Sequence, residues 1–209
     1  MLDQALQRCG LIAILRGLRP GEAAAVGAAL YGAGFRVVEV PLNSPEPLES
    51  VRVLRRTLPP DCVVGAGTVL SPAQVAEVRA AGGQLVVMPH GDAAVIRAAR
   101  AEGLWVTPGV ATPTEAFAAL AAGATALKLF PAEALPPEVV KAWRAVLPAG
   151  TRLVPVGGIT AASLAPYLAA GAAAFGIGSA VYRPGAAAAE VGARAAEFVA
   201  AWRAAVAGR

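Results

Sequence analysis

The chain has 209 residues, of which 56% are hydrophobic and 15% are charged, and its net charge is +4 at neutral pH. This length and apolar content fit one domain over residues 1–209 and exclude a mainly disordered chain. The scattered arginines disfavour nucleic acid as a partner, the basic balance suits an anionic small molecule, and no apolar run approaches the ~20 residues that span a membrane.

The first residues and the two cysteines predict a cytoplasmic location. Residues 1–8 include Asp3 and lack a long apolar core, which is atypical of a signal or transit peptide. Cys9 and Cys62 lack CxxC or metal-ligand spacing, so we interpret them as buried, reduced thiols.

Short runs of strand-forming residues alternate with alanine-rich helical stretches along the whole chain. The eight predicted strands cover residues 11–15, 35–40, 62–65, 85–87, 104–106, 126–129, 152–156 and 174–177. The predicted helices cover residues 21–31, 45–57, 72–81, 92–101, 114–122, 137–147 and 161–170, followed by a closing surface helix over 186–209. Eight such units predict an α/β fold, a single-domain (β/α)8 TIM barrel. The alternative is a doubly wound open sheet, although no unit carries the GxGxxG fingerprint.

Capping residues support several of these helix starts. Ser44-Pro45, Ser71-Pro72 and Thr112-Pro113 each place a hydroxyl residue before proline, which is typical of a helix amino terminus.

Distinctive residues stand at the carboxyl ends of the predicted strands, where TIM barrels hold their active sites. The residues found in this way are Arg16, Glu39, Thr68, Pro89-His90, Pro108, Lys128, Gly157-Gly158 and Gly178-Ser179.

Lys128 is the charged residue of the predicted strand 126–129 and lies between Leu127 and Leu129. Burial disfavours the ammonium form and lowers the pKa, so the amine becomes a nucleophile able to form a Schiff base with a carbonyl. Imine chemistry needs no metal and no other cofactor. The alternatives are a lysine that snorkels from the strand end or one that closes a structural ion pair.

Glu39 is an acid within the predicted strand 35–40. A buried carboxyl is costly unless it is paired, hydrogen-bonded or protonated, and one with a raised pKa can act as a general acid and base. A structural pair with Arg16 or Lys128 is the alternative.

Glycine-rich turns follow the last two predicted strands, at Gly157-Gly158 and Gly178-Ser179. Barrels commonly hold phosphate there with backbone N–H groups, so the turns predict a phosphate ester as ligand. Arg16 would supply a planar fork for a carboxylate or phosphate, or else a rim salt bridge. His90 is the sole histidine, so we predict no His-rich metal site.

These segments closely resemble, over essentially the whole chain, the Schiff-base-forming aldolases of the 2-keto-3-deoxy-6-phosphogluconate and 2-keto-3-deoxy-6-phosphogalactonate family. The resemblance is carried by residues 11–17 (LIAILRG), 39–45 (EVPLNSP), 65–70 (GAGTVL), 126–131 (ALKLFP), 156–159 (VGGI) and 178–179 (GS).

The resemblance implies a homotrimeric lyase in which Lys128 forms the imine and Glu39 shuttles protons through water. The substrate-binding residues that it implies are Arg16, Thr68, Pro89, Val156, Gly157, Gly158, Gly178 and Ser179. The stretch after the fourth strand, Met88-Pro89-His90, departs from the usual family sequences.

Two sequence features resemble the galactonate branch of the family. Asn43-Ser44 stand where gluconate enzymes usually have Arg-Thr, and Val156 stands where they commonly have threonine. The resemblance therefore predicts reversible cleavage of 2-keto-3-deoxy-6-phosphogalactonate to pyruvate and glyceraldehyde 3-phosphate. Cleavage of the gluconate epimer, alone or as well, is the alternative. More distant alternatives are a phosphate-binding barrel isomerase or synthase and a non-catalytic sugar-phosphate binding protein.

Overall fold

A computed structural model describes residues 2–208 of the chain, in which helices and parallel strands alternate. The helices are α1 (Leu2–Arg8), α2 (Pro20–Ala33), α3 (Pro47–Thr57), α4 (Pro72–Ala80), α5 (Ala93–Ala101), α6 (Pro113–Ala121), α7 (Pro137–Arg144), α8 (Leu164–Ala169) and α9 (Ala188–Ala207). The strands are β1 (Leu11–Ile14), β2 (Val37–Pro41), β3 (Val63–Gly67), β4 (Leu85–Val87), β5 (Trp105–Thr107), β6 (Gly109–Val110), β7 (Leu127–Leu129), β8 (Leu153–Pro155) and β9 (Phe175–Ile177). Two 3₁₀ turns cover Ala132–Ala134 and Ala161–Ser163.

The strands form a curled parallel sheet in two sections. One section has the order β5-β4-β3-β2-β1-β9 and the other has the order β6-β7-β8. A parallel bridge between Val156 and Gly176 links the end of β8 to β9. The prediction of a parallel α/β fold is confirmed, and the strand order lacks the reversal of the doubly wound alternative.

The fifth predicted strand, residues 104–106, corresponds to β5, and a short strand that was not predicted, β6, follows it after Pro108. Proline has no N–H to donate to a strand ladder, so the regular pairing is interrupted there. The Pro108 carbonyl still accepts a hydrogen bond from the N–H of Lys128 at 2.8 Å, and the Val106 carbonyl accepts one from Thr125 N–H at 2.9 Å. The pairing of Gly109 with Lys128 joins β6 to β7, and the bond from Thr125, two residues before β7, reaches β5.

Side chains alternate between two faces of the curled sheet, as the two-residue period of strands requires. The convex face packs against the helices through residues such as Val38, Leu127 and Leu129. The concave face carries a second apolar cluster that includes Val37, Leu85 and Val154. A residue on the concave face therefore points away from the surrounding helices.

Helix α1, which the sequence analysis did not predict, lies at the amino end of the sheet. Its buried residues Leu2, Ala5 and Leu6 join the concave-face cluster, together with Val37 and Val63 from the starts of β2 and β3. Their i, i+3, i+4 spacing gives the short helix one apolar stripe, which covers that end of the cluster.

Most predicted helix starts are confirmed, and one is wrong. The Ser71 hydroxyl accepts a hydrogen bond from Gln74 N–H at 3.3 Å, and Thr112 forms a capping box with Glu115. Ser44 does not cap α3, which begins at Pro47. Within residues 2–208, none of the helices combines the length and apolar character that crossing a bilayer demands.

Candidate active site

Lys128 and Glu39 both lie on the concave face of the sheet. In β7, Leu127 and Leu129 pack on the convex face, so Lys128 between them points the other way. In β2, Glu39 follows Val37 by two residues and shares its orientation. Both side chains line one small space at the centre of the concave face.

Both groups are buried, with Lys128 7% exposed and Glu39 2% exposed. Burial raises the pKa of the Glu39 carboxyl to about 7, against the opposing effects of Lys128 and Arg16. Burial also lowers the pKa of the Lys128 amine, which the Glu39 charge partly offsets and the Arg16 charge reinforces. An amine with a lowered pKa and a carboxyl near neutrality are the states that imine and proton-transfer chemistry need.

The structural ion pair considered from the sequence is absent. Among residues 2–208, Glu39 takes part in no ion pair, and its buried Oε2 atom has no hydrogen-bond partner. A buried oxygen without a partner costs free energy, so it marks a position where function and stability compete.

Three neighbours shape the surroundings of this pair, and sequence reasoning missed them. A Cβ atom on Gly67 would lie 2.1 Å from Glu39 Oε2, so the carboxyl occupies room that only glycine leaves. Thr107 is buried and lines the same small space. The Phe130 ring centroid is 4.3 Å from Lys128 Nζ, a cation–π contact that favours the charged amine.

A cavity of about 700 Å³ opens above the pair, at the carboxyl ends of the strands. Seven candidate residues line it, namely Arg16, Lys128, Val156, Gly157, Gly158, Gly178 and Ser179. Residues that the sequence analysis did not assign also line it, among them Asn43, Phe130, Glu133, Tyr182 and Arg183.

The loops after β1 and β2 are tied together beside this cavity. Arg16 Nη1 donates a hydrogen bond to Asn43 Oδ1 at 2.6 Å, and Gly17 N–H donates to Ser44 Oγ at 2.9 Å. Ser44 therefore joins the two loops, where the sequence analysis expected it to start a helix. The Asn43 contact orients the guanidinium group at the cavity wall.

The two glycine turns leave backbone donors facing the cavity. Gly157 and Gly158 have φ angles of 110° and 59°, a region that favours glycine. The N–H groups of Gly158, Ile159 and Ala180 have no hydrogen-bond partner within residues 2–208, and these residues line the cavity. Free N–H groups in successive turn residues form anion-binding concavities.

Two of the predicted substrate-binding residues, Thr68 and Pro89, lie outside the cavity lining. Thr68 follows β3 with a φ angle of 55°, a strained conformation for a β-branched residue. Pro89 packs beside β6, since a Cβ atom on Gly109 would lie 2.3 Å from the Pro89 carbonyl oxygen. The cavity walls come from the loops after β1, β2, β7, β8 and β9.

Known proteins are similar to this chain in sequence and in fold. The family model of KDPG and KHG aldolase matches residues 2–193. The 2-dehydro-3-deoxy-6-phosphogalactonate aldolase of Escherichia coli strain K12 is 47% identical over 196 residues, which cover 94% of this chain and 96% of the relative.

Two solved structures have closely similar folds. The native KDPGal structure superposes with a TM-score of 0.92 at 47% identity, covering 94% of this chain and 96% of that one. A cube-shaped, porous cage designed by fusing symmetric oligomeric domains superposes with a TM-score of 0.93 at 46% identity, covering 95% of this chain and 74% of that one. The chain thus belongs to the KDPG and KHG aldolase family, and it is an aldolase, a carbon-carbon lyase.

Proposed function

We propose that the protein reversibly cleaves 2-keto-3-deoxy-6-phosphogalactonate to pyruvate and glyceraldehyde 3-phosphate through a Schiff base on Lys128. The observation that carries the proposal is the unpaired amine of Lys128 and carboxyl of Glu39, which are buried on one face beneath a cavity with free backbone donors. The similarity to the E. coli 2-dehydro-3-deoxy-6-phosphogalactonate aldolase supports the substrate, since 2-dehydro and 2-keto name the same carbonyl.

In the proposed first stage, the neutral Lys128 amine attacks the C2 carbonyl of the substrate. Loss of water, with a proton supplied by the Glu39 carboxyl, then leaves a protonated imine and the Glu39 carboxylate. Burial supports this role because it lowers the pKa of Lys128 and increases the neutral fraction of the amine.

In the proposed second stage, Glu39 accepts the proton of the C4 hydroxyl, directly or through water, while the C3–C4 bond breaks. The electron pair of that bond moves into the imine to form an enamine, and glyceraldehyde 3-phosphate leaves. Glu39 then returns the proton to C3, and water hydrolyses the imine to pyruvate and free Lys128. A carboxyl whose pKa is near 7 exchanges protons in both directions at neutral pH.

The anionic ends of the substrate would be held at the cavity walls. Arg16 would bind the carboxylate, and the turns at Gly157-Gly158 and Gly178-Ser179 would bind the phosphate. Thr68 and Pro89 remain proposed substrate-binding residues, although neither lines the cavity in the structure.

We also propose that the two sheet sections form one closed (β/α)8 barrel and that residues 1–209 are one domain. The Val156–Gly176 bridge, the pairing of β6 with β7 and the bond from Thr125 to Val106 of β5 support closure.

A homotrimeric assembly and a cytoplasmic location complete the proposal. The similar domain in the cage of fused symmetric oligomers supports an oligomer, and the free, buried thiols of Cys9 and Cys62 suit a reducing compartment. Sedimentation equilibrium would test the trimer.

Borohydride reduction in the presence of pyruvate tests the Schiff base. We expect a covalent adduct on Lys128 by peptide mass spectrometry, its loss in Lys128→Ala, and weaker but detectable trapping in Glu39→Gln. Lys141 on α7 is the other lysine of the sequence and is exposed, so Lys141→Ala is the matched control and should trap normally. Undiminished trapping by Lys128→Ala would overturn the assignment.

The gluconate epimer is the second candidate substrate, alone or alongside the first. Val156 presents an apolar side chain to the cavity, so it offers no hydroxyl to distinguish the two C4 configurations. Comparing kcat/KM for the two epimers, in wild type and Val156→Thr, would decide between the substrates.

A further inference from the structure

Glu133 lies directly against the Gly157-Gly158 turn. A Cβ atom on Gly157 would lie 2.3 Å from Glu133 Oε2, and one on Gly158 would lie 2.8 Å from Glu133 Cγ. The side chain therefore fills the space that the two glycines leave beside the cavity. Its carboxylate adjoins the backbone that we propose to bind phosphate.

The backbone of the 3₁₀ turn that carries Glu133 is held in place. The Tyr167 hydroxyl lies 3.0 Å from the carbonyl oxygens of both Ala132 and Leu135, and the Ala132 N–H donates to the Val156 carbonyl at 2.9 Å. These contacts bracket Glu133 on both sides. Its position beside the glycine turn is thus built into the fold.

Among the described residues, no cation forms an ion pair with this carboxylate. Within residues 2–208, Glu133 takes part in no ion pair and no hydrogen bond, and it is the one acid among the cavity-lining residues. The lining otherwise carries the cations Arg16, Lys128 and Arg183. A cavity that suits an anion thus has one negative charge, placed at the turn with free N–H donors.

We infer that Glu133 determines specificity by weakening the binding of phosphate at the Gly157-Gly158 turn, an inference that rests on the proposed function. Two like charges a few ångströms apart repel, and the repulsion grows with the charge of the bound phosphate. The same repulsion speeds the release of the phosphorylated aldehyde. Glu133 therefore lowers the affinity for a dianionic ligand, which favours turnover, and leaves the affinity for an uncharged analogue unchanged.

Isothermal titration with inorganic phosphate tests this inference without relying on catalysis. We expect Glu133→Gln to bind phosphate roughly 5- to 30-fold more tightly than wild type at low ionic strength, with a smaller gain at high salt. Glu102→Gln makes the same change in charge at an exposed residue following α5, outside the cavity lining, and should leave the affinity unchanged.

A second measurement is the ratio of kcat/KM for the phosphorylated substrate to kcat/KM for its unphosphorylated analogue. We expect this ratio to rise in Glu133→Gln and to stay at the wild-type value in Glu102→Gln. Equal phosphate affinity in wild type and Glu133→Gln would overturn this inference and leave the proposed function standing. Failure of wild type to bind phosphate would overturn both the phosphate site and the inference.

Discussion

The charged groups at the two ends of the curled sheet differ in burial and in ion pairing. At the amino end, α1 covers the concave cluster with Leu2, Ala5 and Leu6, and Asp3 forms a 2.8 Å ion pair with Arg152. Beneath the cavity at the carboxyl end, Lys128 and Glu39 are buried, and neither takes part in an ion pair within residues 2–208. One end is organised for stability, whereas the other keeps reactive groups available for a ligand.

The difference has a physical cause in the cost of burying charge. Moving an apolar side chain out of water lowers the free energy of the folded protein, whereas burying an unpaired ionisable group raises it. The pKa of the buried group then shifts in the direction that favours its neutral form. Glu39 and Lys128 both shift in that direction. The same burial that lowers the stability of the fold makes these two groups reactive, which is a trade-off found at many active sites. Four substitutions test this contrast, in order of decreasing expected effect.

The largest effect should come from Leu6→Ala at the amino end. Leu6 is 8% exposed within the concave cluster, so truncation removes apolar burial and leaves a cavity. We expect the free energy of unfolding to fall by about 2–4 kcal/mol, with kcat/KM unchanged below the melting temperature. Urea denaturation and steady-state kinetics measure the two quantities. Leu70→Ala, at a side chain that is 49% exposed, is the control for stability and should cost under about 0.5 kcal/mol. A comparable loss of activity in Leu6→Ala would break the contrast between the two ends.

At the carboxyl end, Glu39→Gln should change the pH dependence of stability. Folding raises the pKa of Glu39 from 4.5 to about 7, so its folded form prefers the proton. The stability that this preference contributes is complete below pH 4.5 and is lost as the pH rises through about 7. Glutamine does not titrate, so the stability of the variant relative to wild type should rise by about 3 kcal/mol between pH 4 and pH 8. Denaturation of both proteins across this range is the measurement, and a difference that stays flat with pH would contradict the assigned burial of charge.

A smaller effect is expected from Asn43→Ala at the cavity wall. The variant loses the 2.6 Å hydrogen bond that orients Arg16, so we expect KM for the phosphorylated substrate to rise about tenfold, which corresponds to about 1.4 kcal/mol. Asn43→Asp retains an acceptor and should recover most of the loss. If both variants behave alike, Asn43 does not act through Arg16.

The smallest effect should come from Asp3→Asn, which breaks the ion pair at the amino end. The side chains of Asp3 and Arg152 are 58% and 40% exposed, so water and salt screen their attraction. We expect a loss under about 1 kcal/mol that shrinks further at high salt, with unchanged kinetics. Thermal denaturation at two salt concentrations checks it. A loss as large as that of Leu6→Ala would mean that charge pairing, and not apolar packing, stabilises this end.

Local signals in the sequence predicted much of the fold. Thr112 and Ser71 cap helices as expected because a cap depends on residues within one turn. The predicted closing helix also forms, and Glu190 and Arg194 make an ion pair on it because they lie one turn apart. Arg209, the last residue of the predicted helix, lies outside the described residues.

The failures arose where a residue's partner is distant in sequence. Ser44 is a residue type that commonly caps helices, but its hydroxyl accepts a hydrogen bond from the N–H of Gly17, which lies 27 residues away. The role of Gly67 depends on the Glu39 side chain of the neighbouring strand. Nothing in the sequence near Glu133 indicates that the fold places this exposed acid against Gly157. No local pattern reports such contacts.

The sequence by itself determined the alternation of strands and helices and the presence of one amine and one acid within otherwise apolar strands, because both follow from the order of neighbouring residues. Only the tertiary structure decided that Lys128 and Glu39 share the concave face, that Thr68 and Pro89 stay outside the cavity, and that Glu133 adjoins the glycine turn. The physical reason is that strand register and the curl of the sheet set which distant side chains meet, and both depend on packing of the whole chain.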